Sequence, residues 1–359
     1  MPVTIYDIAR AAGVSPSTVS RALSGSTLIS KKTRDRVQEL AHRLGYFDQQ
    51  AAKEGKVNGS IAVFVSDVTN PVLAQMVKGV KNRLNEAGIG MFVIDSDGKS
   101  EDELSALDAL KKNNISGIVM SSPHFTSAYA TALRALDLPA VLAFSFSKEP
   151  DISCVYINNV EASFEAVQSL FRAGHGHIGI VSGPVGDLTI SRERLQGCRL
   201  AYMAEERTFD DSCVVEGDYS IASGYAAAAV MMDQWTERPT AIFCFSDTMA
   251  LGVLQALRDR GIRVPQDVSV MGFDGIEFSA LTCPALSTVV QPCFEIGRTC
   301  ADILLKKMTQ EQTEPVKLEM PYSLELRESV GQPNISTCTG DAKGGDTAKQ
   351  NALQQSELT

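Results

Sequence analysis

The sequence predicts an all-α three-helix head, a polar linker and a two-lobed α/β body. Three observations carry this reading. The first 45 residues hold three short stretches with apolar residues at helical spacing, parted by glycines. Residues 48–60 then become polar, with two glycines and little to bury. From Ile61 onward, apolar strand-like runs alternate with amphipathic helical ones, a rhythm that produces parallel sheets covered on both faces. A body of roughly 270 residues exceeds what one hydrophobic core serves, so two lobes are expected. The expected boundaries are 1–46 for the head, 47–59 for the linker, 60–330 for the body and 331–359 for a disordered tail, which is Gly-, Thr-, Gln- and Ser-rich.

Each element has a local cause. Thr4 is placed to cap the first helix with Asp7 three residues on, and Ile5, Ile8, Ala9 and Ala12 share a face. Gly13 stops that helix, Ser15 caps the next, and Pro16 fits its first position, where a missing N–H costs nothing. Val19, Ala22 and Leu23 form the second apolar face. The third helix spans about Ser30 to Leu44, with Val37, Leu40, Ala41 and Leu44 inward. In the body, strands are expected at 61–65, 91–94, 117–120, 141–144, 178–181, 241–245 and 268–271. Helices are expected at 71–87, 101–112, 160–172, 191–206, 222–232 and 248–260. In such sheets ligands bind where strand C-termini meet the cleft.

Composition excludes several classes. Apolar content of 44% and charged content of 21% describe an ordinary globular chain. The longest apolar run, Ala226 to Met232, is far short of the ~20 residues of a membrane span. The amino terminus has neither the basic nor the apolar region of a secretory signal. Eight cysteines lie scattered with no C-x-x-C pair, which suits a reducing cytoplasm and argues against structural zinc. The net charge of −10 hides a division: residues 1–56 carry +4 and the remainder −14. A basic head on an acidic body suggests that the head alone meets a polyanion.

Residues Val3 to Leu23 read as a helix-turn-helix, with a bracing first helix, a glycine turn and a short hydroxyl-rich second helix able to enter a major groove. The runs Asp7-Ile8-Ala9, Ala12-Gly13-Val14-Ser15 and Thr18-Val19-Ser20-Arg21 resemble the headpiece of the LacI/GalR family of bacterial transcriptional repressors. The likeness continues through Asn70-Pro71, Ala173-Gly174-His175, Arg194-Leu195-Gln196-Gly197, Ser246-Asp247-Thr248-Met249, Val264 to Asp274 and Gln291-Pro292. It implies a body like periplasmic sugar-binding proteins, serving as effector sensor and dimerisation module. The expected protein is a cytoplasmic dimeric regulator, a repressor by this likeness, that binds a double-stranded, approximately palindromic operator.

By the same resemblance, Pro16, Ser17 and Arg21 occupy base-reading positions. Arg21 can offer a bidentate fork to guanine, Ser17 a hydroxyl to either edge, and Pro16 apolar contact with a thymine methyl. Thr4, Tyr6, Ser15, Ser20, Thr33 and Arg36 are candidates for phosphate contacts, and each also fits a plainer role as a cap or solvated side chain. The linker departs from the family pattern. Asp48-Gln49 replaces Pro-Asn, and Gly55 falls where a leucine wedges into the minor groove. Glycine has nothing to unstack a base step, so little operator kinking is expected.

For the effector, the resemblance implies Asp67, Arg194, Asp247 and Asp274 as polar ligands; Tyr219 can stack on a sugar or base face, and Ser246 stands where sugar-responsive members often carry Asn. Asp247 fits equally well as the cap of the helix that follows it. A sugar or sugar phosphate is the first expectation. A nucleoside is the second, because Phe243-Cys244-Phe245-Ser246-Asp247 resembles the cytidine-repressor branch. No cofactor, metal or membrane partner is expected: His175-Gly176-His177 lacks a third ligand nearby, and no serine sits in a nucleophile elbow. The alternative class is a solute-binding protein or metabolite-processing enzyme with a decorative head.

Overall fold

A computed structural model describes residues 3–23, 29–46, 59–110, 114–122, 125–186 and 189–334. The linker around Asp48 to Gly55, and with it the expectation about kinking, lies outside the described residues, as does the tail beyond Asn334. In chain order the elements begin α1 Ile5–Ala12, α2 Pro16–Leu23, α3 Lys31–Arg43, β1 Ser60–Val65, α4 Pro71–Glu86, β2 Gly90–Asp95, α5 Ser100–Leu110 and β3 Ile115–Met120. They continue α6 Ser127–Leu136, β4 Ala140–Ala143, β5 Ser153–Tyr156, α7 Asn159–Arg172, β6 Ile178–Ser182, α8 Thr189–Ala204 and β7 Val214–Glu216. The last are α9 Ile221–Asp233, β8 Ala241–Cys244, α10 Asp247–Asp259, β9 Ser269–Asp274, β10 Ser287–Val290, α11 Cys293–Met308, β11 Lys317–Glu319 and β12 Ser323–Glu325. No helix among the described residues is long and apolar enough to cross a membrane.

The head closes on its own core of Ile8, Ala9, Ala12, Val19, Ala22, Val37, Leu40, Ala41 and Tyr46. Its helices start and stop where the local chemistry dictates. The Asp7 carboxylate accepts from the Thr4 N–H at 2.9 Å and from its hydroxyl at 2.6 Å. Gly13 adopts φ 66° and ends α1, a conformation that favours glycine. Ser30 caps α3 by accepting from the Thr33 N–H at 3.2 Å.

The chain divides into two compact units, Met1–Ile157 with Pro292–Met320, and Asn158–Gln291 with Pro321–Thr359. The first carries a six-stranded sheet in the order β11-β5-β4-β3-β1-β2, parallel throughout. The second has the order β12-β10-β9-β8-β6-β7, parallel except for β12 on β10. Its central strands, β6, β8 and β9, are buried along their whole length, which explains their continuous apolar text. The edge strand β2 is largely exposed.

Helices α6 and α11 and strands β5, β7, β10, β11 and β12 were not expected. Passage of the chain back into the first unit at Pro292 puts α11 against α4 there, so closely that a Cβ on Gly79 would lie 2.0 Å from the Phe294 carbonyl oxygen. The body also runs beyond residue 330, because the Gly331 N–H donates to Ser269 Oγ at 3.0 Å.

Candidate functional site

The head presents one polar face. On α2, Val19 and Ala22 point inward while Pro16, Ser17, Ser20 and Arg21 are exposed. Every described cation of the head except Arg34 is exposed, and Arg34 Nη2 instead reaches the Ile29 carbonyl at 3.2 Å. The nine expected DNA residues separate into two kinds. Thr4, Ser15 and Thr33 have their hydroxyls engaged in caps: Ser15 Oγ lies 2.8 Å from Thr18 Oγ1 and accepts from the Thr18 N–H at 3.2 Å, and Thr33 Oγ1 lies 2.8 Å from Ser30 Oγ. Tyr6, Pro16, Ser17, Ser20, Arg21 and Arg36 face solvent, the Ser17 hydroxyl lying 2.9 Å from Ser15 Oγ. This arrangement suits a helix that enters a groove while the neighbouring helix starts approach phosphates.

In the second unit, a polar cluster forms at the carboxyl ends of β6, β8 and β9. The neighbouring strand order there reverses between β6 and β8, the kind of place where open parallel sheets bind ligands. Arg194 on α8 is buried. Its Nε donates to Asn159 Oδ1 at 3.1 Å, and Nη1 donates to the Phe245 carbonyl and lies 3.6 Å from Asp274 Oδ1. The guanidinium lies over the Phe273 ring, 3.5 Å from its centroid. Among the described residues Nη2 makes no hydrogen bond, which leaves it available to a ligand.

Asp274 ends β9 with φ 120°, a left-handed conformation that costs a non-glycine residue about 1–3 kcal/mol. Its Oδ1 accepts from Gln291 Nε2 at 2.8 Å. Burial pushes its carboxyl up to about 6, against the opposing pull of Arg194. Tyr219 follows β7 at φ 69°, and its hydroxyl lies 2.8 Å from Ser191 Oγ. Its ring covers Gly183 so closely that a Cβ there would sit 2.1 Å from a ring carbon. Ser182, which ends β6, has a buried hydroxyl with no hydrogen-bond partner. Two strained backbone positions and an unpartnered buried hydroxyl thus share one set of strand ends.

Two expected effector residues are placed differently. Ser246, not Asp247, caps α10, accepting from the Met249 N–H at 3.1 Å. Asp247 is 0% exposed, with Oδ2 accepting from the Ile276 N–H at 2.8 Å and Oδ1 from the Thr288 hydroxyl at 2.6 Å. Its carboxylate also closes on Gly272, where a Cβ would meet Oδ1 at 2.2 Å. Both oxygens are thus committed to holding strand ends together. Burial, reinforced by the charge of Asp274, pushes the Asp247 carboxyl up to about 8. Asp67 belongs to the first unit, exposed after β1, where Oδ1 accepts from the Thr69 N–H at 2.8 Å and its hydroxyl at 2.6 Å. Sequence reasoning missed Asn159, Ser191, Phe273 and Gln291, which orient Arg194, Tyr219 and Asp274. Gln291 belongs to the Gln291-Pro292 pair, but its place beside Asp274 follows only from the β9–β10 pairing.

At the opposite ends of these strands, His175 is buried between Thr240 Oγ1 at 3.0 Å and the Gly331 carbonyl at 2.9 Å. Burial lowers its pKa. The unfolded chain therefore takes up the proton first as pH falls, so this contribution to stability is present above about pH 6.5 and is lost below it. Urea denaturation from pH 7.5 to pH 5 is expected to show a fall that His175→Gln flattens. An unchanged slope in the variant would show that His175 does not drive it.

Residues 4–49 match the family described as bacterial regulatory proteins, lacI family, and residues 167–330 match a periplasmic binding protein-like domain. Catabolite control protein A of Priestia megaterium is 34% identical over 332 residues, covering 92% of this chain and 100% of that one. The HTH-type transcriptional repressor CytR of Escherichia coli K12 is 32% identical over 307 residues, covering 85% and 89%. Among solved structures, the transcriptional regulator CelR–cellobiose complex aligns with TM-score 0.69 and 31% identity over 91% of this chain and 99% of that one. The lac repressor dimer bound to operator and the anti-inducer ONPF aligns with TM-score 0.72 and 28% identity over 92% and 100%.

Proposed function

The chain belongs to the lacI family of bacterial regulatory proteins, and from that premise we propose which residues meet DNA and which hold the effector. It is a DNA-binding transcriptional regulator, not an enzyme, acting as a homodimer on operator DNA under the control of a small molecule. Base reading falls to Pro16, Ser17 and Arg21. Positioning on phosphates falls to Tyr6, Ser20 and Arg36, with Thr4, Ser15 and Thr33 as residues that hold the helix starts in place. The single observation behind this division is the exposed row on α2, backed by a buried row of Val19 and Ala22. The cytoplasm, where the operator lies, is the proposed location.

Effector binding in the second unit falls to Arg194, Asp274 and Tyr219, with Ser246 and Asp247 supporting the strand ends, and Asp67 is a separate candidate within the first unit. A saccharide or nucleoside suits this set, since a buried arginine and carboxylate grip hydroxyls with charge-assisted bonds and a tyrosine face stacks on a ring. CelR, a relative, is solved with cellobiose, and CytR stands among the similar sequences. Selection from random duplexes tests the DNA reading. An approximate palindrome should emerge, with log K falling by about 0.9 per phosphate contacted as log salt rises. Binding that ignores sequence, or no duplex binding at low salt, refutes it.

A further inference from the structure

Taking the strand ends of the second unit as the effector site, we propose that the effector is an uncharged, hydroxyl-bearing molecule and that its phosphate ester is rejected. The inference rests on the site reading above and adds the charge class of the ligand. These strand ends carry acids and no cation: Glu216 ends β7, Asp218 follows it and Asp274 ends β9, while the buried Asp247 that opens α10 has both oxygens committed to Ile276 and Thr288. No lysine or arginine occurs in residues 182–186, 216–220, 244–247, 274–275 or 290–291.

Of the two cations nearby, at the start of α8, neither offers a free guanidinium fork, and Arg194 keeps only Nη2 for a ligand. Arg194 is held by Asp274, Asn159 and the Phe245 carbonyl. Arg192 turns to the Gly186 carbonyl at 3.1 Å and Thr189 Oγ1 at 3.3 Å, beside Glu193. The amino terminus of α10, a natural seat for an anion, carries Asp247 in its first turn, and Asp274 accepts from its backbone.

The first unit, taken alone, has the same sign. Asp67 follows β1, Asp95 ends β2, Asp97 follows it, and β3 and β4 run into Ser121-Ser122 and Phe144-Ser145. Lys99 lies 3.8 Å from Asp97 and 4.0 Å from Asp102. Glu103, fully buried, accepts from the hydroxyls of Ser96, Ser122 and Tyr129 at 3.0, 2.6 and 2.6 Å, adding a further acid.

A phosphate brings about −1.5 to −2 charges and needs arginine forks or free amides. Hydroxyls match what is present. Each donates to a carboxylate and accepts from a donor such as Arg194 Nη2, and the orphan Ser182 hydroxyl lacks such a partner. Free sugars and nucleosides share this chemistry.

Calorimetric titration of the full chain with matched pairs tests the inference: glucose and glucose 6-phosphate, ribose and ribose 5-phosphate, cytidine and cytidine monophosphate. One unphosphorylated member is expected to bind, its ester about 100-fold or more weaker. The parent's affinity should change less than about twofold up to about 0.5 M salt. Which pair responds separates sugar from nucleoside. An ester that binds as tightly as its parent overturns the charge inference while leaving the site reading standing. Silence from all six overturns the site reading, and the charge inference falls with it.

Discussion

Arg21→Ala is expected to leave the head folded and to erase discrimination at one base pair of each half-site. Arg21 is exposed on α2, away from the core of Ile8, Val19 and Val37, and alanine is a better helix former than arginine. Its guanidinium is a rigid fork that fits the two acceptors of guanine, a contact worth about 1–3 kcal/mol against the wrong base. A dimer docks two heads, so the specific complex should weaken by about 2–6 kcal/mol while binding to random duplex changes little. Arg36→Ala supplies the contrast. As a phosphate contact it should weaken all duplexes alike and shallow the salt slope by about 1. Fluorescence anisotropy on the selected operator, on single-base variants and on random duplex reads both effects. Equal losses on every sequence for Arg21→Ala would make it another phosphate contact.

The parts of this molecule that could be read from the text are those whose cause is local. Thr4 with Asp7, Gly13, Ser15 before Pro16, and Ser30 each act within four residues, and the head helices begin and end there. The buried strands β1, β6, β8 and β9 announce themselves because both faces are covered. What escaped depends on distant chain. Strands β7, β11 and β12 have three residues each at or near sheet edges and owe their existence to partners far away in sequence. Helix α11 does carry an apolar face of Ile296, Cys300, Ile303 and Leu304, but nothing local says that it returns to the first unit.

The site divides in the same way. Resemblance singles out Arg194 and Asp274 as candidates, and the ring of Tyr219 singles out that residue. The residues that hold them, Asn159, Ser191 and Gln291, stand 35, 28 and 17 positions away from their partners. Asp247 was ambiguous because an aspartate at a helix start reads as a cap. Only its depth, and the Thr288 and Ile276 donors, show that Ser246 caps and Asp247 clamps.

Arg194→Met is expected to destabilise the second unit strongly at alkaline pH and much less at pH 5. Methionine keeps an unbranched apolar stem beside Phe273, so the change chiefly removes charge and donors. It leaves the Asp274 carboxylate buried without its cation, a loss of the kind that costs about 3–5 kcal/mol. The pH dependence follows from the raised carboxyl values. Asp274 sits at about 6 and Asp247 at about 8, both above the ordinary value near 4. Folded protein therefore binds more protons than unfolded chain between these limits, and this contribution to stability falls as pH rises through about 4 to 8. Without Arg194, which pulls Asp274 down, the proton is held more tightly and the fall with pH becomes steeper. Urea denaturation of both proteins at pH 5 and pH 8 gives the comparison, with the gap between them expected to open toward pH 8. A gap of equal size at both pH values would mean that Arg194 serves as packing on Phe273 and as a donor to Phe245 and Asn159, and that its charge does not govern the two acids.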